Sequence, residues 1–306
     1  MKLKKKALLP AIAMVLASVI ALSGVTYAWF TTSNEATVGT LDVNVATANG
    51  IQVSLDGVSW RSTLTGQDII DAIEDGLTNY KNAVNQFPTG EIAPVSSAGD
   101  VNNGKLQMFF GQYNEAGGLD SIREEEEGRT NGGNFIAFDL FIKSSMDQDM
   151  SMILGQTASY VASTDVFGGS KNAATETAVR VAFLPMGDAT EPASAQALKG
   201  DGTVYIWEPN ASDRAAGITV AGAPDYSGFF TEFTNISEDE LEEGTHVKSV
   251  KTLKNGSDFE DLFTLKNGIN KIRVYIWLEG QDVDCVNAIS SGDFSVNLLF
   301  TVPEMD

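Results

Sequence analysis

The segment Asn270-Lys-Ile-Arg-Val-Tyr-Ile-Trp-Leu278 has the clearest strand pattern in the chain, because apolar and polar side chains alternate over most of its length. A second segment, Phe294-Ser-Val-Asn-Leu-Leu-Phe-Thr-Val302, repeats the pattern until Pro303. A period of two places the apolar side chains on one face of an extended strand. The end of the chain is therefore predicted to form two β-strands.

Further segments are also predicted to be strands, because they are rich in the β-branched and aromatic residues that favour strands. In chain order they are residues 36–46, 51–54, 135–142, 150–154, 177–184 and 204–207. Asp56-Gly57 follows the second segment and is typical of a tight hairpin turn. Many short strands with turn signals predict a mainly β fold, a jelly-roll-like antiparallel β-sandwich. A mixed α+β domain is the alternative that the sequence leaves open.

One amphipathic helix is predicted between Thr65 and Phe87, where Pro88 ends the pattern. Its apolar residues recur at three- and four-residue spacing; they are Ile69, Ile70, Ile73, Leu77, Tyr80 and Val84. Residues 99–104 and 114–133 are rich in turn-forming residues and are predicted to be long surface loops. The second contains four consecutive glutamates at 124–127, which are predicted to form a solvated acidic face.

The first 28 residues have the order of a secretory leader. Lysines at positions 2, 4, 5 and 6 precede an apolar run from Ala7 to Leu22, and small residues follow up to Ala28. This run of 16 residues is shorter than the roughly 20 that span a bilayer, so membrane contact is expected only through the leader before cleavage. We expect a signal peptidase to cut between Ala28 and Trp29. The predicted organisation is a leader at 1–28, a segment at 29–38 and one β-sandwich domain at 39–306.

The chain carries 41 acidic and 20 basic residues, and its formal charge is −21. Because the leader holds four of the basic residues and no acidic one, cleavage leaves a charge of −25. Recognition of a nucleic-acid backbone needs clustered Lys and Arg, so a nucleic-acid partner is not expected. Cys285 is the only cysteine, which excludes an intramolecular disulfide, and we interpret it as a quiet thiol and not as a nucleophile or an intermolecular crosslink.

Two short stretches around the expected cut, Tyr27-Ala28-Trp29-Phe30 and Gly39-Thr-Leu-Asp42, resemble the start of the TasA/camelysin family of secreted matrix-fibre proteins. Tyr27-Ala28-Trp29-Phe30 is similar to the aromatic-Ala-aromatic junction of that family, and Gly39-Thr-Leu-Asp42 is similar to the stretch that follows it. The likeness is confined to residues 24–43. It implies a jelly-roll subunit, exported to the surface or biofilm matrix of a Gram-positive bacterium, that polymerises with copies of itself.

The resemblance also implies how copies would join, with the N-terminal segment of one subunit completing a sheet of the next. In this β-strand addition, main-chain hydrogen bonds supply affinity and alternate side chains fill pockets. The expected anchors of the donated segment are Trp29, Phe30, Ala36 and Val38. Gly39 is the expected hinge, because glycine adopts backbone angles closed to other residues.

The sequence offers little for catalysis, and we predict no enzyme and no required cofactor. The only histidine, His246, lies in a polar acidic stretch, and there is no His-Glu-x-x-His zinc motif. Asp282, Asp284 and Asn287, with Glu279 upstream, offer oxygen ligands of the kind that Ca²⁺ takes. Asp and Asn are also the usual turn residues, so a polar loop is the favoured interpretation.

An alternative function is a surface module that binds carbohydrate or another ligand without polymerising. Trp60, Trp207 and Trp277 would then form a stacking platform on the sandwich. Trp207 and Trp277 lie within apolar strands, however, and core packing explains both of them better. The leading hypothesis is a structural fibre subunit.

Overall fold

The computed structural model of the chain describes residues 41–47, 50–97, 99–113, 119–124, 126, 132–144, 149–154, 159–163, 175–207, 246–247, 249–253, 263–280, 285 and 293–302. Strands dominate these residues. They are β1 (Leu41–Thr47), β2 (Ile51–Ser54), β3 (Thr63–Thr65), β4 (Asn85–Gln86), β5 (Val101–Asn102), β6 (Lys105–Leu106), β7 (Met108–Tyr113), β8 (Leu119–Glu124), β9 (Phe135–Ser144), β10 (Met150–Leu154), β11 (Tyr160–Ser163), β12 (Val179–Ala189), β13 (Thr203–Trp207), β14 (His246–Val247), β15 (Ser249–Leu253), β16 (Phe263–Leu265), β17 (Ile269–Leu278) and β18 (Phe294–Thr301). The helical elements are α1 (Gly66–Glu74), α2 (Pro192–Gln196) and a 3-10 turn at Thr175–Thr177.

Two sheets form the body of the fold. Sheet I has the strand order β16-β10-β18-β1-β3, with β11 also paired to β18, and sheet II has the order β15-β13-β12-β17-β9-β2, with β4 also paired to β9. Two small ladders, β14-β5-β6 and β7-β8, lie outside them. Antiparallel pairing prevails, but β1 runs parallel to β18 and β15 runs parallel to β13. The strand pattern of the sequence does not reveal these two parallel pairs.

The two sheets enclose a common apolar core. Sheet I supplies Val43, Val296 and Phe300, and sheet II supplies Ile136 and Phe183, all at most 1% exposed. The rings of Phe183 and Phe300 meet edge to face, with centroids 5.9 Å apart. Alternate residues of each strand point into this core, as the period of two predicts. The prediction of a mainly β, sandwich-like fold is confirmed, and the jelly-roll connection order stays a prediction.

Sheet II is buried on both of its faces. All ten residues of β17 and the first eight of β9 are buried. A second apolar cluster covers the face that points away from sheet I, and it includes Phe109, Phe135, Tyr275 and Trp277. The alternation in β17 therefore does not separate a core face from a solvent face. It separates an apolar face from a second face that carries buried charges.

The predicted helix is much shorter than its apolar spacing indicates. It begins after Thr65 and ends with Asp75 as its C-cap, whereas the spacing continues to Val84. Gly76 has a positive φ of 71°, and its amide donates to Ile73 O at 3.1 Å. The Leu77 amide donates to Ala72 O at 3.0 Å. This arrangement satisfies the last carbonyls and reverses the chain, so the prediction of a helix up to Phe87 is wrong.

Two predicted surface loops contain ordered β-structure. Residues 101–106 form the β5-β6 hairpin, whose turn residues Asn103 and Gly104 both have positive φ, as a type I′ turn requires. In the second loop, β8 pairs with β7. Glu124 and Glu126 there are only partly exposed, and Glu126 binds Lys105 Nζ at 2.7 Å. The prediction of a wholly solvated acidic face is wrong for these two glutamates.

Candidate functional site

The terminal strand β18 is the centre of sheet I, and its two neighbours come from opposite parts of the chain. On one side, β1 runs parallel to it from Leu41 opposite Phe294 to Thr47 opposite Phe300. On the other side, β10 and β11 follow each other along the same edge in the antiparallel sense. The first described strand is thus held in its own domain by the last one.

The edge formed by β11 is the candidate site for pairing with another chain. β11 pairs with β18 from Tyr160 opposite Asn297 to Ser163 opposite Phe294. It lies off the main strand order of sheet I and pairs with β18. β16, by contrast, covers the neighbouring strand at Met150–Met152. An edge strand presents backbone N–H and C=O groups that can template a further strand.

Specific contacts hold β11 against the sandwich. Val161 is 4% exposed and packs in the shared core, whereas Tyr160 is 47% exposed. Just before the strand, the Leu299 amide donates to Ser159 Oγ at 2.9 Å. The Ser295 hydroxyl donates to Ala162 O at 3.4 Å. Because these contacts fix the strand before a partner arrives, pairing would require little additional ordering of the edge.

β1 begins at the level where β11 ends. Leu41 and Ser163 both lie opposite Phe294, one on each side of β18. With strands about 4.8 Å apart, the two backbones are separated by roughly 10 Å at this level. Ten residues of extended chain, the length of segment 29–38, reach about 33 Å. This is longer than the edge that β11 presents.

The residues predicted for donation and for calcium lie outside the described residues. These are Ala28, Trp29, Phe30, Ala36, Val38 and Gly39 at the N-terminus, and Asp282, Asp284 and Asn287, which follow β17 in the sequence. Their predicted roles stay predictions. The structure does describe Glu279, which is fully buried and accepts hydrogen bonds from the Ser96 hydroxyl and from Trp277 Nε1. Glu279 is therefore a buried, hydrogen-bonded side chain and not a solvent-exposed one.

Comparison of the chain with protein-family models, with curated proteins and with solved structures finds no match. Within the described residues, no helix is long and apolar enough to cross a membrane. Within the same residues, no group of three or more His, Cys, Asp and Glu side chains is arranged to hold a metal ion.

The remaining candidate residues have structural surroundings. His246 lies in β14, opposite Asn102 of β5, so its backbone is part of a ladder and not of an irregular loop. Cys285 is buried, in agreement with a quiet thiol. Trp207 and Trp277 are at most 1% exposed, and Trp60 lies under Lys143 Nζ, 4.2 Å from the ring centroid. Core packing of Trp207 and Trp277 is confirmed, and the three rings do not form an exposed platform.

A cleft of about 210 Å³ lies beside α1 and is lined by aspartates. Asp56 is bound to its own turn through the amides of Val58 and Ser59, each at 2.7 Å. Burial alone would raise the pKa of Asp56, but these hydrogen bonds and one from the Ser54 hydroxyl bring it below its ordinary value. Asp68 caps the helix. Two of the acidic side chains therefore serve the local fold.

Proposed function

We propose that the chain is a structural subunit of an extracellular fibre, exported by a bacterium and cleaved after Ala28. In this proposal, segment 29–38 of one copy adds a strand beside β11 of the next copy. The single observation that carries it is the position of β11 at the side of sheet I, where it pairs with β18 and its Tyr160 is 47% exposed. The N-terminal resemblance to secreted fibre proteins supports the same conclusion.

The geometry of β1 supports donation by the segment before it and not by β1 itself. β1 pairs with β18 over seven residues and also with β3, so it belongs to the core of its own subunit. Segment 29–38 ends three residues before Leu41. A contact between two different surfaces repeats from copy to copy and, when the rotation does not close a ring, builds a filament.

Deletion of residues 29–38, with the cleavage site rebuilt, tests this proposal. The variant should stay folded and soluble, because β1 and the two-sheet core are intact, but it should form no fibres in negative-stain electron microscopy. Circular dichroism and thermal melting establish that it is folded. Fibres as abundant as those of the parent would refute strand donation. Unfolding of the variant would place the segment in its own sheet, which also contradicts the proposal.

A mixing experiment separates donor from acceptor. The deletion variant retains the β11 edge, so it should accept a strand from a parent subunit but offer none in return. Added in excess to parent subunits, it should therefore shorten the fibres. The matched control is the full mature chain added at the same concentration. Equal fibre lengths with either addition would count against donation.

A further inference from the structure

A cluster of charged side chains lies inside the protein, on the face of sheet II that points away from sheet I. Asp139 of β9 stands directly opposite Arg273 of β17, and Lys271 is two residues before Arg273 on the same face. Arg273 Nε donates to Asp139 Oδ1 at 2.8 Å, and Lys271 Nζ lies 2.9 Å from Asp139 Oδ2. The Tyr80 hydroxyl donates to the same Oδ2 at 2.6 Å.

The cluster is sealed from water. The side chains of Lys271 and Arg273 are 0% exposed and that of Asp139 is 1% exposed. Lys271 Nζ lies 4.9 Å from the ring centroid of Tyr80 and 5.6 Å from that of Phe141. It also donates to the backbone carbonyl of Gln196 in α2 at 3.1 Å. The amine is therefore held against the carboxyl group by aromatic rings and by a helix.

The charges of this cluster do not balance, because two cations surround one carboxylate. Removing ionised groups from water is costly, and a buried pair repays this cost only in part. Burial lowers the pKa of Lys271 below its ordinary value, although Asp139 acts in the opposite direction. Burial also raises the pKa of Tyr80, so its hydroxyl keeps its proton. An uncharged amine in contact with a carboxyl group is thus favoured by the same burial that disfavours the ions.

We propose that Lys271 and Asp139 form an intramolecular amide bond that links β17 to β9. One proton moves from the Lys271 ammonium to the Asp139 carboxylate, which gives a neutral amine and a carboxylic acid. The amine nitrogen then attacks Cγ, a C–N bond forms, and the C–Oδ2 bond breaks. The second proton lost by nitrogen leaves with Oδ2 as water. The products are one amide and one water molecule, and no oxidant, reductant or other reactant is needed.

The neighbours of the two reacting groups are placed for this step. Arg273 Nε contacts Oδ1, where negative charge develops during the attack, so it acts as the donor of an oxyanion hole. The Tyr80 hydroxyl donates a hydrogen bond to Oδ2, the leaving oxygen, and can relay the proton from the amine to it while remaining protonated itself. Buried amine and carboxyl groups already in hydrogen-bond contact gain the large effective concentration of an intramolecular reaction.

The amide would replace the buried Lys271–Asp139 ion pair by neutral groups. It removes two buried charges and leaves only the Arg273 guanidinium, which donates to the backbone carbonyls of Gly104 and Asn82. The link would join β17 and β9, two adjacent interior strands of sheet II that pair over nine residues. It would therefore hold this sheet together even in denaturant. This inference is independent of the proposed fibre function.

Mass spectrometry of the purified full chain tests the proposal directly. The N-terminus of the sample is determined first, and the mass expected for the chain is calculated from the sequence that begins there. The measured mass of the denatured protein should be lower than this value by one water molecule. After digestion with trypsin, residues 130–143 should appear joined to residues 267–273, because an amidated Lys271 is no longer a cleavage site. A parent chain with the full sequence mass, cleaved after Lys271, would overturn the proposal whatever the variants show.

Three variants assign the roles. Lys271→Arg keeps a cation but removes the reacting amine, so its mass should equal that of its sequence. Lys266→Arg is the matched control at a position with a 49% exposed side chain, and it should remain one water lighter. Tyr80→Phe removes the hydroxyl at the leaving oxygen and should slow formation of the link in newly synthesised chain, followed by mass, by roughly 100-fold. A link in Lys271→Arg would refute the assignment of the amine, and normal speed in Tyr80→Phe would refute the role of the hydroxyl.

Discussion

Phe183 of sheet II and Phe300 of sheet I cross at an interplanar angle of 88°, edge to face, in the centre of the sandwich. Both rings are at most 1% exposed. Replacement of Phe300 by alanine should lower the free energy of unfolding by about 3–5 kcal/mol, because a large buried ring is replaced by a cavity. The measurement is urea unfolding. The control is Leu77→Ala, at a side chain that is 54% exposed. It should change the free energy of unfolding by at most about 0.5 kcal/mol.

The capping box of α1 makes helix stability depend on pH. Hydrogen bonds from the Thr65 amide and hydroxyl hold the pKa of Asp68 below its ordinary value, and Arg61 acts in the same direction. A carboxyl group with a lowered pKa stabilises the folded state above its unfolded pKa of about 3.9. This contribution disappears as the pH falls through the folded pKa. The melting temperatures of the parent and Asp68→Asn should therefore differ at pH 7 and converge in acid.

A second substitution checks the hydrogen-bonding part of the cap. Thr65→Ala removes the side chain that accepts from the Asp68 amide, and it should cost about 1 kcal/mol. Thr63→Ala, at an exposed position of β3, is the matched control and should be nearly neutral. A constant difference between the parent and Asp68→Asn at every pH would contradict the role assigned to the carboxylate.

The sequence contained the signal that ends α1, but a competing pattern concealed it. Asp75-Gly76 is a usual helix end, because glycine takes the positive φ that follows the C-cap. Leu77, Tyr80 and Val84 continue the helical spacing for other reasons. Leu77 is exposed, Tyr80 binds Asp139, and Val84 belongs to the outer apolar cluster of sheet II. Periodicity alone cannot distinguish a helix face from separate tertiary contacts.

The strands were predictable, whereas their partners were not. The alternation in residues 294–302 determines which side chains of β18 face the core, and the structure agrees. The parallel partner of this strand lies about 250 residues earlier, and no local pattern encodes such a pairing. Asp139 did carry a usable signal. An aspartate in the middle of a run that is apolar on both faces requires a buried partner, and Arg273 and Lys271 are the charges in the other fully buried strand.

Cys285 should be unreactive in the folded protein. Its side chain is 2% exposed and packs in the core shared by the two sheets, and reaction requires an accessible thiolate. A thiol reagent should label less than a few per cent of the native chain in the time that it labels the whole chain in guanidinium chloride. Rapid labelling of the native chain, or a dimer that dissociates under reducing conditions, would contradict this prediction.

The two edges of sheet I should respond differently to the same added charge. Tyr160→Lys places a cation on β11, and Thr63→Lys places one on β3, at the opposite edge. Charged side chains on an edge strand oppose pairing with a further chain. A fluorescent peptide of residues 29–38 should bind the deletion variant, and Tyr160→Lys should weaken this binding by about tenfold or more, equivalent to about 1.4 kcal/mol. Equal weakening by Thr63→Lys would refute β11 as the acceptor.

Charge repulsion should control how readily subunits assemble. The cleaved chain carries a formal charge of −25, and repulsion between like-charged subunits weakens with ionic screening, protonation or bound divalent cations. Fibre growth, followed by light scattering, should therefore accelerate on addition of Ca²⁺ or as the pH approaches the carboxylate pKa of about 4. NaCl at matched ionic strength is the control for screening alone. Because segment 29–38 must still supply the strand, the deletion variant should remain unassembled under all of these conditions. If growth of the parent is the same with and without Ca²⁺ and at both pH values, charge does not control assembly.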